Sequence, residues 1–160
     1  MKLFLLLICL LGTLPLWAQI SERSISFNPE KDPIAIRSDS SIQLVVSEFI
    51  LAKSLQERMG KAYLVQKIYQ ITTPDGMSTL IFEGIHLNKN RQKFTLGIPL
   101  NPSTLGRLYY ASNQALVCSA PGCNNCSILN GNCVGCCSSA DGSALAVPFP
   151  LAKVQTSLDE

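Results

Sequence analysis

Six cysteines fall within twenty residues: Cys118, Cys123, Cys126, Cys133, Cys136 and Cys137, in the pattern C-x4-C-x2-C-x6-C-x2-C-C. Thiols at this density pair as disulfides, bind a soft metal as thiolates, or cycle between the two redox states as a catalyst. Cys123 to Cys126 and Cys133 to Cys136 are two C-x2-C units, and Asn130-Gly131 between them is a strong hairpin-turn signal. With the turn there, residues whose numbers sum to 261 face each other, so Cys133 opposes Ile128 and Cys126 opposes Gly135. That pairing gathers the two units, which suits a four-thiolate site as well as disulfides.

The start of the chain weighs on the choice. Lys2, the unbroken apolar run Leu3 to Leu11, Pro15 and Ala18 have the order of a secretory signal, with cleavage expected after Ala18. Cys9 lies inside that leader. The apolar stretch to Trp17 is shorter than the roughly 20 residues a bilayer span needs. The expected location is therefore secreted, periplasmic or in the cell envelope, with no membrane span left after cleavage. Oxidising compartments favour disulfides, and six is an even number, which allows fifteen pairings. Three disulfides are the leading expectation.

Zinc, copper or an iron–sulfur cluster is the alternative. The loop between the C-x2-C units is shorter than that of usual zinc sites. Cys118-x4-Cys123-x2-Cys126 has the spacing of plant-type iron–sulfur ligands, but no cysteine follows Cys137 as the distant fourth. A thiol–disulfide oxidoreductase is the third reading. It requires a lowered thiol pKa, yet no Lys or Arg lies between Arg107 and Lys153 and no helical pattern follows either unit.

Outside the cluster the sequence marks no catalytic residue. His86 is the single histidine and reads as a packed or surface strand residue. Glu48 and Glu57 fall on the wet face of a helix, and Glu83 at a solvated or paired strand position. Tyr109-Tyr110 reads as strand packing or as part of a recognition surface. Without Lys2 the chain carries 12 basic against 11 acidic side chains, which gives no argument for nucleic acid. The leading function is an exported, non-catalytic binding or structural module without cofactor. Its partner is not indicated.

The expected fold is α+β: one helix packed on an antiparallel meander, followed by a cysteine-rich loop or hairpin. The divisions are a leader (1–18), an α+β core (19–118), the cysteine-rich segment (119–142) and an edge strand with a polar tail (143–160). Short strands are expected at Ile25–Phe27 and Ile34–Ile36. Asp39, Ser40 and Ser41 look like helix-starting residues. Val45, Phe49, Ala52, Leu55 and Met59 then recur at helical spacing, giving a helix over Ile42–Met59 closed by Gly60. Its β-branched start, Ile42–Val46, also suits a strand. The alternative runs the helix on through Gly60 to residue 71. Strands are expected over Tyr63–Thr72, with Tyr63, Val65, Tyr69 and Ile71 on one parity, over Met77–Leu87 after a Pro74-Asp75-Gly76 turn, and over Phe94–Leu100. Two more follow at Leu105–Tyr110 and Ala115–Cys118. Ser119–Gly142 has too little apolar bulk to pack alone, so cross-links or a metal must order it, or it stays loose. Pro148 and Pro150 confine Leu145–Leu151 to a sheet edge.

Overall fold

The computed structural model describes residues 24–39, 41–89, 91–119, 126–129, 132–135, 145–148 and 150–157. The expected leader and Cys123, Cys136 and Cys137 lie outside the described residues. The chain divides into a compact unit, Ser26–Gln155, and the two chain ends.

The strands are β1 (Ser24–Phe27), β2 (Ala35–Ser38), β3 (Ser41–Leu44), β4 (Tyr63–Thr72), β5 (Ser78–His86), β6 (Gln92–Pro102), β7 (Leu108–Ala111), β8 (Gln114–Cys118), β9 (Ser127–Leu129), β10 (Asn132–Val134), β11 (Leu145–Pro148) and β12 (Val154–Ser157), with one helix, α1 (Glu48–Met59). The fold is α+β, with the helix and an antiparallel meander as expected. β4, β5 and β6 form that meander, with Gly76 at φ 84° in the first turn. Beyond β6 the eight-stranded sheet continues through β7 to β2 and β3, and through β8 to β11. β11 pairs with β8 alone, so the segment with Pro148 sits at an edge. β9 pairs β10 as a separate hairpin, and β1 pairs β12.

Two sequence expectations need correction. The helix begins at Glu48, not Ile42. Ser47 caps it by accepting a hydrogen bond from the Ile50 amide, and the Gly60 amide closes it on the Gln56 carbonyl. Asp39 is not a helix start but a turn residue at φ 49°, and Ser41–Leu44 pairs with Ala35–Ser38. Strand pairing won over the local capping signal because Ile42 and Leu44 reach the core only from a pleat. The buried helix face is therefore Ile50, Leu51, Ser54 and Leu55, while Phe49 stands 64% exposed. Ser54 is tolerated there because its hydroxyl donates to the Ala152 carbonyl at 2.6 Å.

The second correction concerns β4. A bulge lies between Val65 and Lys67, so Val65 faces Gly84 while Lys67 faces Glu83. One extra residue reverses which parity points inward. Tyr63 and Val65 pack with Ile68 on one side of the sheet; Tyr69 and Ile71 pack on the other. The sheet thus has two covered faces. The first holds the main core, with Leu80, Phe82, Phe94, Leu96 and Ile98 against Leu51 and Leu55 of α1. The second holds Ile81, Cys118 and Ile128.

Candidate functional site

The cysteine hairpin covers the second face. Cys133 opposes Ile128 and Asn132 opposes Leu129, the register that a turn at Asn130-Gly131 dictates. Ile128 and Cys133 face the sheet, whereas Leu129 (58%) and Val134 (37%) are exposed. Gly97 of β6 makes room for this contact: a Cβ there would come within 2.7 Å of Ile128 Cδ1. The Thr95 hydroxyl donates to the Cys126 carbonyl at 2.7 Å. Cys118, fully buried at the end of β8, is disulfide-bonded to Cys133 across a sequence separation of 15. Cys126 is disulfide-bonded as well. The gathered C-x2-C units therefore do not present Cys126 and Cys133 as thiolates for a four-sulfur metal site. Among the described residues no group of three or more His, Cys, Asp or Glu is arranged to hold a metal ion.

Beside the hairpin, a cavity of about 290 Å³ is lined by Lys67, Glu83, Lys93, Thr95 and Cys126. Tyr69 donates to Glu83 Oε1 at 2.6 Å, and Lys67 Nζ sits 4.6 Å from the Tyr69 ring centre. Burial, then the hydrogen bond to Glu83, then the Glu83 charge push the Tyr69 hydroxyl up to about 12. The folded value lies above the ordinary one, so this contribution to stability is present below about pH 10 and lost as pH rises toward 12. Tyrosinate absorbance followed through an alkaline titration should show a late component from Tyr69. Glu83→Gln should bring it back toward the ordinary range, and an unchanged titration in that variant would show that Glu83 plays no part.

The other sequence candidates do not assemble a catalytic group. Glu48 and Glu57 are exposed on α1. His86 is half-buried, edge-on to Tyr63 with ring centres 4.4 Å apart, and its Nδ1 is buried without a hydrogen-bond partner among the described residues. Tyr109 is core packing, 2% exposed.

A group that the sequence did not mark lies at the open end of the sheet's inner face, where Arg37, Asp39, Ser41 and Thr72 are exposed. Arg37 follows Ala35 at the same parity and faces Ile42. Its guanidinium donates to the Tyr109 hydroxyl and lies 5.7 Å from that ring's centre. Gln70 and Thr72 follow Ile68 at the same parity on β4, and Thr72 meets the Ser78 hydroxyl at 3.0 Å. A groove of about 440 Å³ is lined by Arg37, Asp39, Ser41, Ile42, Gln70 and Thr72. β3 and β4, two of the sheet's edge strands, thus line one opening. Arg37 also borders a neighbouring cavity of about 500 Å³ whose lining includes Ile71, Met77, Leu100 and Pro102. The only sequence signal was a charged residue at an inward parity of β2, and it becomes legible only once Ala35 is known to be buried.

Compared with protein-family models, with curated proteins and with solved structures, the chain matches none.

Proposed function

We propose that the chain is an exported, non-catalytic binding or structural module, secreted or held in the periplasm or cell envelope, whose cysteine-rich hairpin is a rigid display surface. The Cys118–Cys133 bond carries this reading. It ties a segment with few apolar residues to a buried strand end, with Ile128 seated inward and Leu129 and Val134 turned outward. A disulfide of this kind persists where the surroundings are oxidising, which supports export. No helix among the described residues is long and apolar enough to cross a membrane.

Intact-mass measurement of the native protein, with thiol labelling before and after reduction, tests the proposal. The expected product begins at Gln19, resists labelling, and gains six hydrogens on reduction. Bound metal with thiols released by chelation would replace this reading with a thiolate metal protein. Two cysteines that cycle readily under mild reductant would replace it with a thiol–disulfide oxidoreductase.

A further inference from the structure

We infer that the groove between β3 and β4 is a binding site for an α-amino carboxylate: a carboxylate with an N–H donor on the adjacent carbon and an apolar side chain. The inference goes beyond the display-surface reading and shares no residue with the cysteine hairpin.

Arg37 supplies the first requirement. Its fork is oriented by the Tyr109 hydroxyl and ring, and Tyr109 is itself locked in the core. Among the described residues no carboxylate lies within ion-pair distance of that guanidinium. A guanidinium has five donors in a plane, so one bond to Tyr109 leaves a fork that matches a carboxylate.

Gln70 supplies the second. Its Nε2 donates to Thr72 Oγ1, while its Oε1 is closed off from solvent and has no hydrogen-bond partner among the described residues. A buried acceptor left unpaired is costly, and a turn of the half-buried Gln70 side chain toward the groove would let a ligand donor remove that cost. The two requirements fall in one groove, since Arg37 and Gln70 both line it. A bare anion fits poorly. Asp39 lines the same groove and Asp75 the neighbouring cavity, so each of the two spaces that Arg37 borders already holds a carboxylate. Asp75 is already engaged by the Thr73 hydroxyl, which holds its carboxyl below the usual range. A ligand that carries an N–H beside its carboxylate satisfies Arg37 and Gln70 together and meets Asp39 with the favourable sign.

The apolar side chain follows from the adjoining cavity, where Met77, Leu100 and Pro102 border the same space as Arg37. Met77 is 59% exposed, so a ligand side chain there would remove apolar surface from water.

Such a group has two sources, a free amino acid or the C-terminus of a peptide. Titration of the oxidised full-length product, followed by backbone amide NMR shifts, separates them with four probes: L-leucine, N-acetyl-L-leucine, L-leucinamide and inorganic phosphate. Saturable shifts at Arg37, Gln70 and Thr72 are expected with leucine, N-acetyl-leucine or both. Binding of N-acetyl-leucine assigns the site to peptide C-termini, and binding of leucine alone assigns it to free amino acids. Leucinamide, which lacks the carboxylate, should bind at least about tenfold more weakly. Arg37→Gln should lose a similar factor, and Arg37→Lys less, with the spectrum of residues 80–98 unchanged as proof of folding. Gln70→Leu should weaken binding without altering the preference for carboxylate over amide. Equal binding of leucinamide or phosphate, undiminished binding in a folded Arg37→Gln variant, or no saturable binding of either carboxylate would overturn the inference. The hairpin's thiol chemistry enters none of these readouts, so the display-surface reading stands or falls separately.

Discussion

Gly84→Ala should destabilise the protein by about 3 kcal/mol, measured as a shift of the urea unfolding midpoint at unchanged slope. Gly84 has no need of a left-handed backbone, and its requirement is spatial. A Cβ added there would run into the Leu64 carbonyl oxygen of the neighbouring strand and come within 2.7 Å of Phe94 Cε1. The Leu64 oxygen is backbone and cannot swing aside as a side chain can. It stands there because of the bulge just beyond Val65, which faces Gly84 in the register. Relief would require β4 to move as a strand, and β4 carries Tyr63, Val65 and Ile68 against the main core. The contrast is Gly76, at φ 84° in the β4–β5 turn with nothing near its missing Cβ. Gly76→Ala should cost only the left-handed backbone penalty, about 1 kcal/mol. If the two substitutions cost the same, the steric account of Gly84 is wrong.

Much of this fold is legible in the sequence because local chemistry and tertiary pairing agree. Phe94, Leu96, Ile98 and Leu100 alternate cleanly and all four are buried. Pro74-Asp75-Gly76 makes the turn its residues require. The hairpin register, Cys133 against Ile128, follows from Asn130-Gly131 by counting. Legibility fails where a distant partner decides. Ser41–Leu44 carries both a capping signal before it and a β-branched start, and pairing with Ala35–Ser38 settles it as strand. Nothing local marks the bulge at Gln66, yet it alone sends Tyr69 and Ile71 to the opposite face from Tyr63 and Val65. The groove at Arg37 was out of reach for the same reason. Its walls come from β2, β3 and β4, and its polar residues are individually ordinary. Arg37 gains meaning from Tyr109, 72 residues away, and Gln70 from the burial of its Oε1. The cysteines show the opposite balance. Their spacing pointed to a hairpin that gathers the two C-x2-C units, for disulfides or for a metal, but not to Gly97 as the seat of Ile128.

That seat makes the effect of removing the staple specific. Replacing Cys118 and Cys133 together by Ala should cost at most about 3 kcal/mol, the chain-entropy value for an otherwise open loop of about 15 residues, because the disulfide at Cys126 still constrains the segment. Alanine is the right replacement because Cys118 is fully buried, where a serine hydroxyl would add a desolvation cost of its own. The loss should be local. The main core draws on α1 and on Leu80, Phe82, Phe94, Leu96 and Ile98, none of which touches the staple's function. The second face depends on Ile128 staying down over Gly97 and Ile81. Amide exchange should therefore lose protection across Ser127–Leu129 and Asn132–Val134 while Phe94–Ile98 keeps it. A double-mutant cycle with Gly97→Ala gives the sharper reading. In the stapled protein the new methyl meets Ile128 Cδ1 at 2.7 Å, and the Ile128 side chain must turn in a space that Thr79 and Ile81 also crowd, or the hairpin must shift. Once the staple is gone the hairpin can yield, so Gly97→Ala should cost measurably less in the alanine background than in the native one. Coupling of roughly 1 kcal/mol is the expected size for groups in contact through one side chain. Simple additivity would mean that Ile128 is not held over Gly97 by the Cys118–Cys133 bond. Loss of protection through Phe94–Ile98 would mean that the staple holds the whole sheet, not its cover alone.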